Sequence, residues 1–254
     1  MRFVFVTALT FAAVLLHAAC APARAADDDT SGASTLSANV TLASDYRFRG
    51  QSQTDHRAAF QGGIDYAHAS GVFAGLWSST INFNDEANSP AEVDFTAGYS
   101  HAFSETTEAS LAAAYYWYPE SEPADYDFFE ILGTASHDLT YVTLSAEWTF
   151  SFDYSGHAGI GTGIAGGIDV PLPVGESEWL SGSAHWGYQW IEDNALYGVP
   201  DWMFYDFGMT ATWRMFALDV RYMGSDLSKA ECYGGSNVCE PGVVVSLTLT
   251  VPLN

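Results

Sequence analysis

From Val243 to Leu253 the chain alternates without a break. Val243, Val245, Leu247, Leu249, Val251 and Leu253 fall on one side, and Val244, Ser246, Thr248, Thr250 and Pro252 on the other. A period of two belongs to a β-strand, whose successive side chains point to opposite faces. One greasy face and one small, polar face fit a strand between an apolar phase and water. Near the start, Leu36, Ala38, Val40 and Leu42 alternate with Ser37, Asn39, Thr41 and Ala43. Similar segments lie at 58–68, 72–83, 92–102, 108–118, 127–137, 141–152, 159–170, 179–190, 205–213 and 216–224. Together they make about twelve strands of about ten residues, the length a tilted membrane strand needs. No segment after the first residues is apolar for long enough to form a transmembrane helix.

The connections point the same way. Long stretches at Tyr46 to Arg57, Asn84 to Ala91, Pro119 to Tyr126, Asp153 to Ala158, Ile191 to Phe204 and Ser225 to Gly242 alternate with brief ones. The brief ones are Ala69-Ser70-Gly71, Phe103 to Thr107, Asp138-Leu139-Thr140 and Arg214-Met215. Pro171 to Glu178 breaks the rule, being no shorter than its neighbour. Such alternation is expected when one barrel end carries long extracellular loops and the other short periplasmic turns. The expected fold is therefore all-β: a closed antiparallel transmembrane β-barrel of about twelve strands, with both termini periplasmic. Trp77, Tyr115-Tyr116-Trp117-Tyr118, Trp148, Trp186, Trp190 and Trp213 fall toward strand ends, where interfacial girdles sit. Strands spaced about 4.8 Å and tilted about 40° give a backbone diameter of roughly 24 Å, and inward side chains leave about 10 Å or less.

The first residues read as an export signal. Arg2 precedes an uncharged apolar run from Phe3 to Leu16, and Ala23-Arg24-Ala25 supplies an A-x-A cleavage site before Ala26. His17 stands where a lipobox ending at Cys20 wants Leu, so simple cleavage is expected. The resulting division is a signal peptide over 1–25, a periplasmic N-terminal segment over 26–35 and the barrel over 36–254. Cleavage leaves Cys232 and Cys239, an even pair in one polar, Gly-rich loop, which an oxidising compartment would join as a disulfide. No further Cys or His stands near them to complete a metal site. A formal net charge of −23 argues against nucleic acid as a partner, which would need a basic face.

The stretch from Leu36 to Ser52, with its block Ser44-Asp45-Tyr46-Arg47-Phe48-Arg49-Gly50-Gln51-Ser52, resembles the opening strand and loop of the TorF family of proteobacterial porins. Gln61-Gly62-Gly63-Ile64-Asp65-Tyr66, Val93-Asp94-Phe95-Thr96-Ala97-Gly98-Tyr99 and Ser225-Asp226-Leu227-Ser228 extend the likeness over most of the mature chain. The resemblance implies an outer-membrane barrel with a channel role. It brings no catalytic residues. The end Val251-Pro252-Leu253-Asn254 departs from the aromatic residue that the outer-membrane assembly machinery usually reads.

Beyond the signal, the basic residues are few: Arg47, Arg49 and Arg57 near the first strand, and Arg214, Arg221 and Lys229 around the eleventh. Closing the barrel pairs its first and last strands and makes these groups neighbours. Arg47, Arg49, Arg57, Arg221 and Lys229 are expected toward the outer end, facing Asp94, Glu130 and Glu147 on the remaining wall. Two readings stand. Either the bases form a stripe that screens charged solutes across the lumen, or they pair locally with Asp45, Asp55, Asp219 and Asp226, as buried charges normally do.

No G-x-S-x-G, H-E-x-x-H or P-loop motif occurs. His68-Ala69-Ser70 is similar to the His-x-Ser pair of outer-membrane lipid deacylases. It falls at a turn expected on the periplasmic side, whereas those enzymes work at the outer leaflet. Asp85-Glu86, Glu120, Glu122, Asp125, Asp127 and Glu192-Asp193 lack the spacing of a calcium loop. They read as a solvated acidic rim, which divalent cations can bridge to lipopolysaccharide. The expectation is a non-enzymatic, cofactor-free barrel among outer-membrane lipids that passes ions or small polar solutes. The alternatives are a plugged barrel that contacts partners through its outer loops and, behind it, an outer-membrane lipid deacylase.

Overall fold

The computed structural model describes residues 34–84, 89–174 and 177–253. The signal region 1–25, residues 26–33, and the pair Asp85-Glu86 lie outside the described residues. In chain order the strands are β1 (Ser34–Ala43), β2 (Arg47–Phe48), β3 (Gln51–Ser52), β4 (Ala59–His68), β5 (Val72–Thr80), β6 (Ala91–Ala102) and β7 (Thr107–Trp117). They continue with β8 (Phe128–Asp138), β9 (Thr143–Ser151), β10 (Gly161–Val174), β11 (Ser177–Ile191), β12 (Trp202–Trp213), β13 (Phe216–Ser225) and β14 (Gly242–Pro252). β1 begins two residues before the position expected from the alternation.

All but β2 and β3 form one closed ring in which sequence neighbours pair antiparallel. β1 closes it by pairing with β14, Ala38 opposite Val251 and Leu42 opposite Leu247. Closure leaves no strand edge unpaired, as a sheet in hydrocarbon requires. The alternation assigns the faces. Leu42, Phe60, Ile64, Phe95, Leu111, Ile164, Phe207 and Leu247 are exposed on the outside, an apolar belt that belongs in lipid rather than water. On the inside, small polar side chains link neighbouring strands: Thr41 and Thr248 hydroxyls lie 2.8 Å apart, Ser110 and Thr134 hydroxyls 2.7 Å.

One sequence expectation is corrected. Pro171 to Glu178 is not a long connection, because β10 runs on to Val174 and β11 begins at Ser177. Pro171 itself pairs with Ser181 and Leu172 with Leu180. The long-and-short alternation is therefore unbroken. The aromatic girdle is also thinner than expected. Tyr115, Trp117, Trp148, Trp186, Trp190 and Trp213 are exposed on the outside, but Trp77 packs against the interior and Tyr116 and Tyr118 are buried there. Their register decides this: Trp77 shares a face with buried Phe73 and Ser79, and Tyr116 with buried Ala114.

The packed core consequently lies within the outer half of the barrel. Tyr46 is buried there beside Trp77, and Tyr116, Phe128, Tyr154 and Trp202 in a chain of ring contacts: Tyr116 stacks on Phe128 at 4.3 Å, Phe128 meets Tyr154 at 4.8 Å, Tyr154 meets Tyr197 at 5.3 Å, and Tyr197 stacks on Trp202 at 5.9 Å. Toward the inner end, lumen residues such as Asn39, Thr134 and Ser136 keep access to solvent.

Candidate functional site: the lumen and the loop within it

The first outer loop does not stand out in solvent. After β1 it turns inward as the small hairpin β2–β3, with Arg47 opposite Ser52 and Phe48 opposite Gln51. Arg49 and Gly50 form its tip, both at positive φ (47° and 84°), the backbone twist that two-residue hairpin turns favour. Gly50 is needed for a second reason: a Cβ there would run into the Gly224 carbonyl of β13. Asp45 organises the base, accepting from Arg47 Nε at 2.8 Å, Ser52 Oγ at 2.6 Å and Thr54 Oγ1 at 2.9 Å.

The tip reaches across the barrel. In the ring order β8 and β9 stand opposite β1. Arg49 Nη2 donates to both Glu130 oxygens on β8, at 3.0 and 2.9 Å, and to Thr149 Oγ1 on β9 at 3.3 Å, while Nη1 donates to the Tyr154 hydroxyl at 3.1 Å. Its guanidinium sits 4.6 Å from the Phe48 ring centre, and its carbonyl accepts from Trp202 Nε1 at 2.9 Å. Burial disfavours the charged form of Arg49, but the Glu130 charge outweighs it and raises the pKa above its ordinary value. Tyr46 at the hairpin base donates to both Glu92 oxygens on β6 at 3.0 Å; burial, then the Glu92 charge, pushes its hydroxyl pKa well up.

A second outer loop, 226–241, backs the hairpin. The Cys232–Cys239 disulfide closes it, with Cα atoms 6.0 Å apart. The Val238 carbonyl accepts from Ser52 N at 2.8 Å, the Glu240 carbonyl from Arg47 Nη1 at 2.8 Å, and the Tyr233 hydroxyl donates to Gln51 Oε1 at 2.6 Å. His56 Nε2 lies 2.8 Å from the Asn237 carbonyl.

Another charged network lines β10 to β13. Arg221 contacts Asp206, donates to Asp219 at 3.1 Å and to Ser183 at 2.9 Å. His185 Nδ1 lies 2.8 Å from Asp206, and its Nε2 3.8 Å from Asp169.

The residues singled out in the sequence thus separate. Asp94, Glu130 and Glu147 lie on the lumen face, and Arg47, Arg49 and Arg221 are buried in the lumen. Arg57 is exposed outside it, 3.2 Å from Asp55, and Lys229 bonds Asn237 within its own loop. Arg47 and Arg57 have local acid partners, Arg221 has one local and one across a strand, and Arg49 reaches over the lumen. Asp226 meets no arginine there but accepts from Met203 N at 2.9 Å. His68 and Ser70 sit at the exposed inner turn, where His68 Nδ1 takes the Ser70 hydroxyl at 2.8 Å and its backbone N–H at 3.1 Å, a turn-capping arrangement. Glu92, His185 and Asp206 were missed; their inward register was the available signal.

A closed twelve-stranded barrel with a lipid-facing apolar belt and a polar lumen defines an outer-membrane β-barrel protein. Residues 27–251 match the family described as "Bacterial protein of unknown function (Gcw_chp)", and the chain belongs to that family. No curated protein matches the chain. Among solved structures it is similar to the "KdgM porin", with a TM-score of 0.56 and 7% identity over 86% of this chain and 99% of that one. It is also similar to a NanC porin, with a TM-score of 0.54 and 10% identity over 84% and 98%. At such identities the likeness is one of fold.

Proposed function

We propose that the chain is a porin-like channel for ions and small polar solutes, drawn in its closed state, with the 44–57 hairpin as the element that closes it. The observation that carries this is the lumen itself: polar side chains face inward along the barrel, solvent reaches them from the inner end, and the outer half is filled by a loop packed against wall residues such as Tyr116, Phe128 and Trp202. A wall built only to be solid has no reason to line its interior with Ser, Thr and Asn. The TorF resemblance supports the same reading. The acidic lumen, with Glu92, Asp94, Glu147 and Asp169 beyond the carboxylates that arginines hold, favours cations and neutral solutes over anions. One structure of similar fold is a "KdgM porin in complex with disordered oligogalacturonate"; the charge of this lumen argues against so acidic a solute here.

The hairpin also supports a second reading, a permanently plugged barrel that contacts partners through its outer loops. Flux separates them. Proteoliposomes holding the refolded mature protein are expected to swell slowly in a small neutral sugar, and faster with Arg49→Ala. A barrel that is folded and inserted, yet impermeable in both forms, would establish the plugged reading.

A further inference from the structure

Arg49 is held by more than a counter-charge. Glu130 on β8, Thr149 on β9 and the Tyr154 hydroxyl bond its guanidinium directly. Tyr116 on β7 stands behind them, its hydroxyl donating to Glu130 Oε2 at 3.2 Å. All four are buried. The Phe48 and Tyr154 ring centres lie 4.6 and 5.9 Å from the guanidinium carbon, where an aromatic face attracts a planar cation. Phe48 belongs to the hairpin, but the other four belong to the barrel wall and to the 152–160 loop. The place also offers more acceptors than Arg49 uses. A Cβ added to Gly163 on β10 would lie 2.8 Å from both Thr149 Oγ1 and Gln189 Oε1, so these two oxygens crowd one spot. Neither Gln189 Oε1 nor Ser151 Oγ, the next lumen-facing group after Thr149, has a hydrogen-bond partner among the described residues, although both residues are 0% exposed. Buried polar atoms left without a partner cost free energy, and fastening one arginine requires neither.

We propose that Glu130, Thr149, Tyr154 and Gln189, backed by Tyr116, form a binding site for a guanidinium group, which Arg49 fills while the barrel is closed. A solute carrying a guanidinium or amidinium group enters by taking the place of Arg49, and in doing so frees the hairpin tip. Such a planar, forked donor suits the site better than an ammonium does. It can meet a carboxylate, two hydroxyls and an aromatic ring at once, whereas an ammonium is a compact and strongly hydrated point charge. The solute class rests on the channel reading; the binding site does not depend on conduction.

The test empties the site and refills it. Mature Arg49→Ala protein, refolded in detergent, is titrated calorimetrically with methylguanidinium at constant ionic strength. Saturable binding is expected, with methylammonium clearly weaker. Adding Glu130→Gln should weaken methylguanidinium binding by at least about tenfold, the scale of one hydrogen bond to an ionised group. If Arg49→Ala refolds poorly, methylguanidinium should restore its yield and methylammonium should not. Neither binding nor rescue, equal action of the two cations, or binding indifferent to Glu130→Gln overturns the site. In a planar bilayer, methylguanidinium should shorten the openings of Arg49→Ala. Arg49→Ala protein that conducts but does not bind refutes the site alone; protein that binds but never conducts refutes the channel alone.

Discussion

Arg49 and Glu130, 81 positions apart in sequence, meet at 2.9 Å across the barrel, with side chains 2% and 0% exposed. The first outer loop thereby spans the lumen and is fastened to the opposite wall. Breaking a buried pair by removing one partner costs about 3–5 kcal/mol, because it strands the other charge. Arg49→Ala is expected to lower stability on that scale in urea unfolding followed by tryptophan fluorescence, and to expose the 44–57 segment to protease. The double change Arg49→Met with Glu130→Gln should cost clearly less. Equal losses would mean that the pair does not fasten the loop.

The disulfide loop is the hairpin's outer support, through Val238, Glu240 and Tyr233. A cross-link enclosing so short a loop, with a sequence separation of 7, stabilises by about 2–3 kcal/mol. Cys232→Ser with Cys239→Ser is expected to lose that much and to speed proteolysis of both outer loops while the barrel persists. Protease resistance equal to wild type would separate the two loops.

His157 joins two outer loops. Its ring lies 2.8 Å from Asp153 and 3.1 Å from Asp125. The Asp153 hydrogen bond, with the charges of both acids, raises its pKa above the ordinary histidine value. A raised folded pKa means the tie is complete below the unfolded value near about 6.5 and is lost as pH climbs through the folded one. An NMR titration should place the His157 midpoint above the ordinary value, and Asp153→Asn should bring it down. A midpoint at or below that value in the parent protein would contradict the tie.

Leu111 lies mid-strand on the outer face, 60% exposed, where an arginine in the bilayer costs about 2–4 kcal/mol. Leu111→Arg is expected to destabilise the protein in lipid by that amount, and Thr134→Arg, on the lumen face, much less. Similar costs for both would refute the face assignment.

Most of the barrel was legible in the sequence because its signal is local: alternation fixes which side chains face out, and loop lengths tell one end from the other. The pair Cys232–Cys239 was legible because little else in the mature chain could join them. The hairpin was not legible. Tyr46 to Arg57 has the polar composition of a solvated loop, and its burial depends on Glu130, Trp202 and Tyr233, each far along the chain. Asp94 and Glu130 could be named as acids of the wall, but not that Arg49 would take one and leave the other. That choice follows from the reach of the hairpin, which composition does not encode.

Single-channel recording tests the central claim most directly: mature protein in a planar bilayer, under a salt gradient, as wild type and as Arg49→Ala. The account predicts discrete but brief or small openings for wild type, longer or larger ones for the variant, and a reversal potential of cation-selective sign. Reversing Arg47 and Arg49 to Glu should move that potential further the same way. Silence from every form, in protein shown to be folded and inserted, would contradict the channel and leave a plugged barrel.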